Sequence, residues 1–282
     1  MKARAIDSTA GAFVLLAATA VAALSVILGA QFVFGRILEN PGVAAWSPVL
    51  LESLFTIAVF GILGGIAGLA VRRFGGRAGA GPAAAVSAGV GVVAGAAGLG
   101  IAIALSALAG VAHAGEGGGA GALLLAGAVV TLIQTGAEEL YFRGWLQPHL
   151  ESGWGRWPGL AVTALAFAAL HFVSGAFEWL SFVNLVLAGL WFGLLAQRSG
   201  GLALPIGAHF GWNWAEEMLF GATPNPGVSS FGTVFDWDLT GSPLWGGSSE
   251  GLNASLSASF VLIALVIVAA SWRGFSSPGR RG

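Results

Sequence analysis

The chain has 282 residues, of which 56% are hydrophobic and only 9% charged, and its formal net charge is −1. A soluble domain carries about 25% charged residues, so this chain lacks the polar surface to cover itself in water, and a mean hydropathy of +0.83 agrees. Absent cysteine excludes a disulfide frame, a thiolate metal site and a cysteine nucleophile, while the lack of a basic stripe excludes nucleic-acid binding.

The composition predicts an all-α membrane protein. A spanning helix needs about 20 mostly apolar residues. The N-terminus "MKARAIDSTAGAFVLL" places basic residues before an apolar run, as a signal peptide does. The run from Gly11 to Gly35 exceeds an ordinary signal core of about 7–15 residues, so it reads as an uncleaved first span. Spans follow at 11–34, 53–71, 83–109, 121–146, 157–173, 179–197, 202–219 and 254–272, eight in all. The third is rich in Gly and Ala, which suits close packing against other helices. The one long loop, 220–253, carries Phe231, Phe235, Trp237 and Trp245 among its Gly, Pro and Ser residues, and is expected to lie along the membrane surface. The chain thus divides into N-terminal helices (1–120), a core of helices four to eight (121–272) and a basic tail (273–282).

Basic residues set orientation. Lys2 and Arg4, then Arg72, Arg73 and Arg77, then Arg143 and Arg156, then Arg198, then Arg273, Arg280 and Arg281 all fall on one side of eight spans. The other side holds Arg36 and the acids Glu39, Glu52, Glu116, Glu178, Asp236, Asp238 and Glu250. Both termini are therefore expected in the cytoplasm.

Polar residues inside spans carry the functional information, because each is costly in lipid. In "TGAEELYFRG", Glu139 and Arg143 are i,i+4 neighbours in the favourable order, while Glu138 points about 100° away. Counted back from Pro148, taken as the helix end, Glu138 lies roughly 15 Å inside. Glu139 is accounted for by Arg143; Glu138 has no partner on its own helix. "FAALHF" puts Phe167 and His171 one turn apart, and "HFGWNW" puts His209 and Asn213 on one face, with Glu216 close to the same stripe and Glu217 beside it. Asn184, alone in its span, reads as a hydrogen-bonding partner between helices. If helices four, five and seven bring these groups together, they form a polar cavity able to hydrolyse a bond. A buried carboxyl takes a proton from water, and an imidazole and an amide stabilise an oxyanion. The same groups could instead hold zinc or another divalent metal with an open position, although the spacing is not HExxH.

The ordered set "EELYFR" (138–143), "FAALH" (167–171) and "HFGWN" (209–213) resembles the CPBP family of intramembrane proteases, which includes CAAX prenyl endopeptidases and bacteriocin-immunity-type proteins. The resemblance runs over about 121–219 and matches at every motif position. It implies Glu138 as the base that activates water, His171 as the group holding that water, and His209 and Asn213 as oxyanion stabilisers. Glu139 and Arg143 would be the supporting pair. It implies a membrane-associated protein or peptide as substrate, cut near the cytoplasmic side, and no nucleic-acid partner. Metal-dependent and metal-independent mechanisms both remain open, the second favoured because asparagine suits an oxyanion hole better than a zinc shell. The bare, Ala- and Gly-rich core points to a prokaryotic cell membrane. A transporter using the same buried groups, or a non-catalytic immunity or maturation factor, are the alternatives. Because His171 falls deeper along its span than Glu138 and His209 do along theirs, span five is expected to be tilted or broken.

Overall fold

A computed structural model describes residues 8–81, 83–115, 119, 121–173, 175, 177–222 and 230–272; the basic tail 273–282 lies outside them, as do Lys2, Arg4 and Glu116. Long apolar runs become helices, each stopped by a local signal. Ser8 caps α1 (Thr9–Leu38) by accepting from the Gly11 N–H, and a short α2 (Pro41–Ala44) turns the chain. Ser47 and Pro48 open α3 (Pro48–Phe74), which ends at Gly75 with φ +95°. After α4 (Ala84–Leu108), a three-residue β1 (Ala112–Ala114) precedes α5 (Leu123–Glu139). A π-helical segment (Leu140–Leu146) leads without a break into α6 (Gln147–Trp154). α7 (Arg156–Leu170), α8 (Trp179–Ser199) and α9 (Ala203–Trp214) follow, the last continued by a π turn (Ala215–Leu219). The chain then forms β2 (Trp237–Leu239) and α10 (Leu256–Ser271), whose cap is Ser255.

Five of these stretches are long and apolar enough to cross a membrane: α1, α3, α4, α5 through α6, and α8. The other three expected spans appear as shorter helices, α7 with 15 residues, α9 with 12 before its π turn, and α10 with 16. The fold is that of an all-α membrane protein with one small addition. β1 pairs antiparallel with β2, His113 opposite Asp238, so Trp237–Leu239 of the long loop are tied back to the segment after α4. Within that loop Phe231 is buried, and Val234 and Phe235 donate N–H groups to the carbonyls of Met218 and Leu219.

Three expectations need correction. Pro148 does not end helix four: α5, the π segment and α6 run together for 32 residues, Leu123–Trp154. Proline removes the N–H that would reach back to the Gly144 carbonyl. Here the Arg77 N–H takes that carbonyl at 2.8 Å, while Arg77 Nη1 takes the Arg143 carbonyl at 2.9 Å. Arg143, counted with the cytoplasmic flanking charges, is fully buried in the bundle. Glu52, counted with the loops, sits inside α3. Arg77, Arg156 and Arg198 line a single cavity of about 390 Å³ at one end of the bundle.

The glycines of α4 decide how α9 is seated. A Cβ on Gly91 would strike the Leu204 carbonyl and the Ala208 amide, and one on Gly95 the Ala208 carbonyl and the Trp212 amide. Reciprocally, Gly207 meets the Ala88 backbone and Gly211 that of Val92. Two small-xxx-small pairs therefore interlock backbone to backbone, the packing that lipid favours when no hydrophobic force separates helix from solvent. The expectation that the third span packs against protein holds. The seam flanks His209 on both sides, so it fixes the rotation of the helix that carries it. Gly95→Leu should overpack this seam and cost about 1–3 kcal/mol, seen as a lower unfolding midpoint in detergent. Gly61→Ala, where no atom lies within 4 Å of the added carbon, should not lower it.

Candidate active site

The two glutamates stand at the last positions of α5, where the helix widens into the π segment. Such single-turn widenings recur at functional sites because they redirect side chains without ending the helix. This one is clamped by α1, with Tyr141 donating to the Thr19 carbonyl at 2.6 Å and Trp145 Nε1 to the Thr19 hydroxyl at 3.3 Å. Arg143 Nη1 meets Glu139 Oε1 at 2.9 Å, as the i,i+4 spacing requires, and Nη2 donates to the Gly189 carbonyl of α8 at 3.2 Å. The guanidinium also lies against the rings of Phe167 (4.5 Å) and Phe192 (5.4 Å). Cation–π contact of this kind is strongest when desolvated.

Glu139 has a second partner that its own helix does not reveal. His209 Nδ1, from α9, lies 3.0 Å from the same Oε1. Because that oxygen already accepts from Arg143, Nδ1 is the donor, and the ring is fixed in orientation. Phe192 stacks on it at 4.6 Å with 20° between planes. The other ring nitrogen, Nε2, then points at Glu138 Oε2, 3.6 Å away. That separation exceeds a hydrogen bond, and Oε2 is buried without a hydrogen-bonding partner. Gln134 Nε2, one turn earlier on α5, reaches the other oxygen of Glu138 at 3.5 Å.

A cavity of about 170 Å³ adjoins this group, large enough for several waters. His171, His209, Asn213, Gln134, Glu216 and Glu217 contribute its polar wall. Glu138 is not part of the wall but sits between Gln134 and His209, which are. His171 is exposed, just past the end of α7, and its Nδ1 lies 2.8 Å from the Phe167 carbonyl. A carbonyl only accepts, so Nδ1 carries the hydrogen and Nε2 of the neutral ring is a free acceptor. Asn184 serves as expected, donating to the carbonyls of Asn253 and Ser255 and accepting from Ser259. The anticipated break in the fifth span is not found. α7 is regular but short, about 22 Å at 1.5 Å per residue, and the irregularity lies in the turn after it and in the π turns of the two helices beside it.

Gln134 and Phe192 were not singled out in the sequence. Gln134 could have been, since it is the polar residue four before Glu138 on the same face; Phe192 gives no sequence signal apart from its aromatic character. The donor set does not fit a metal ion. Among the described residues no three His, Cys, Asp or Glu side chains converge as ligands. Both nitrogens of His209 face the carboxyls, and one of His171 is taken by the backbone.

Residues 120–215, about a third of the chain and including all three motifs, match the family model described as type II CAAX prenyl endopeptidase Rce1-like. The resemblance to the CPBP intramembrane proteases is thus supported over this segment. Together with the five apolar helices it marks an integral membrane protein. An uncharacterized protein of Bacillus subtilis (strain 168), YpbD, is 38% identical over 81 residues, which are 29% of this chain and 38% of that relative. The matched part thus spans less than half of the relative's length. No solved structure matches.

Removing the guanidinium while leaving Glu139 in place should strand a buried charge. Arg143→Met is expected to lose about 3–5 kcal/mol of stability, measured by unfolding in detergent. Adding Glu139→Gln should restore a large part of that loss. A single substitution without effect would contradict the pairing described above.

Proposed function

We propose that the protein is an intramembrane endopeptidase that hydrolyses a peptide bond of a membrane-associated protein or peptide with water activated by Glu138. The observation that carries this reading is the buried, unpartnered Glu138 Oε2, 3.6 Å from His209 Nε2 beside a cavity lined by His171, His209 and Asn213. A carboxyl with one oxygen left without a hydrogen-bonding partner, next to an imidazole with a fixed direction, is suited to proton transfer.

In this mechanism a water enters between Glu138 and the free Nε2 of His171. Glu138 removes one proton, and the hydroxide oxygen bonds to the carbonyl carbon while the C=O π pair moves to oxygen. His209 acts here as the imidazolium, its Nδ1–H on Glu139, so that its Nε2–H and the Asn213 amide donate to that oxyanion, the type of preorganised contact worth about 10²–10³ in rate. Collapse reforms the carbonyl and breaks the C–N bond, and the proton held by Glu138 passes to the departing amine. Glu139 and Arg143 touch no reacting atom; they hold His209. No step needs a metal, and among the described residues no three His, Cys, Asp or Glu side chains converge as ligands.

The core of helices four to eight (121–272) carries the whole site. We place the protein in a prokaryotic cell membrane with eight spans and both termini in the cytoplasm, on the arginine grouping. The cavity wall comes from the end of α7, the first half of α8, the end of α9 and the start of α10. These are the ends opposite Arg77, Arg156 and Arg198. With the arginine end in the cytoplasm, substrate enters from the other half of the bilayer, which replaces the expectation of a cut near the cytoplasmic side.

Purified full-length protein should cleave members of a quenched-fluorescent peptide library, and Glu138→Gln should lower kcat by at least about 10²-fold. Asn213→Ala should lower kcat by a similar factor, and a chelator should change nothing. Undiminished turnover by Glu138→Gln would sink the proposal.

A further inference from the structure

Glu216 is used by no step above. Its side chain is 8% exposed, it lines the cavity, and its Oε1 is buried without a hydrogen-bonding partner. An acceptor left so in a protein interior is costly, which a folded chain tolerates where a ligand completes the bond. Its place relative to the other site residues is set by the helix. Asn213 is one turn beyond His209 and Glu216 nearly two, so all three share one stripe. A regular α-helix would turn Glu217 away from that stripe. The π turn at Ala215–Leu219 advances less per residue and brings Glu217 back, so that both carboxyls line the cavity.

The charge of the wall is one-sided. Among the described residues it contains Glu216 and Glu217, the imidazoles of His171 and His209, and the amides of Gln134, Asn184, Asn213 and Asn253, but neither lysine nor arginine. The buried arginine nearest the site, Arg143, is held by Glu139. An anionic group entering the cavity would meet two carboxyls and no counter-charge. A guanidinium or ammonium would meet both carboxyls and supply the N–H donor that Glu216 Oε1 lacks, a charge-assisted bond stronger than one from a neutral amide.

We propose that Glu216 and Glu217 form an acidic subsite that binds an arginine or lysine side chain of the substrate close to the bond that is cut. The assignment rests on the endopeptidase reading, and names the substrate class as membrane-associated peptides with a basic residue at one fixed position from the cleavage point. Glu216 makes the buried contact, and Glu217 adds charge from the same wall.

The test uses the full-length protein and a peptide library in which each position near the cut is in turn arginine, its neutral isostere citrulline, or glutamate. At one position arginine should exceed citrulline by at least about tenfold in kcat/KM, mainly through KM, and glutamate should be the poorest. Glu216→Gln should bring the arginine-to-citrulline ratio to near one. The comparison of peptides on the unaltered protein stands even if that variant fails to fold. Cleavage with no position preferring arginine, or a preference that survives in folded Glu216→Gln, overturns the subsite alone. The absence of any Glu138-dependent cleavage overturns it together with the function on which it rests.

Discussion

Everything at the centre of this protein depends on one carboxylate oxygen. Glu139 Oε1 receives the Arg143 guanidinium at 2.9 Å and the His209 ring at 3.0 Å, in surroundings from which water is excluded. At such distances and so little screening, the attraction is several times its value at a surface, and each group alone would be costly to bury. The three therefore stabilise one another or not at all. Because Arg143 also holds the Gly189 carbonyl and lies against Phe167 and Phe192, the link joins α5 with its π segment to α7, α8 and α9. Its chemical consequence is directional. With Nδ1 committed to Glu139, His209 has Nε2 left to face Glu138 Oε2, which no hydrogen bond occupies.

The scaffold around this link does two things that a bundle of regular helices would not. Its glycine seam lets α9 approach α4 until the backbones touch, so the rotation of α9, and with it the direction of His209 and Asn213, is fixed by backbone contact. One of its two π segments follows the adjacent glutamates 138–139 and the other contains 216–217. The widened turns free carbonyls that must be satisfied from elsewhere. Arg77 does so for Arg143 and Gly144, which ties the loop after α3 to the back of the site. The helices before residue 120 are thus part of the support: α1 through Thr19, the loop after α3 through Arg77, and α4 through Gly91 and Gly95.

The sequence made legible what is local. Helical spacing paired Glu139 with Arg143 and aligned His209 with Asn213, and apolar run lengths located seven of the eight helices to within about five residues, the fourth running eight residues past its expected end to Trp154. What escaped depended on contacts far apart in the chain. Glu139 looked fully explained by Arg143, yet it also holds His209, 70 residues on, which no spacing rule can show. Arg143 looked like a flanking charge because arginine after an apolar run usually is one, and only the packed bundle shows it buried. Pro148 looked like a helix end because proline removes a hydrogen bond, and the replacement comes from Arg77, 71 positions earlier. Gln134 was passed over although its spacing from Glu138 was open to inspection.

The central claim is that water, activated by Glu138, is the nucleophile. A single turnover of the full-length protein in ¹⁸O-enriched water, followed by mass spectrometry of product and protein, tests it most directly. The account predicts one ¹⁸O atom in the newly formed carboxyl of the product, none in the Glu138 side chain, and labelled product from Glu138→Gln at least about 10²-fold more slowly. Label in the Glu138 carboxyl would contradict it, since the glutamate would then have bonded to the substrate, and so would labelled product from Glu138→Gln at the unaltered rate.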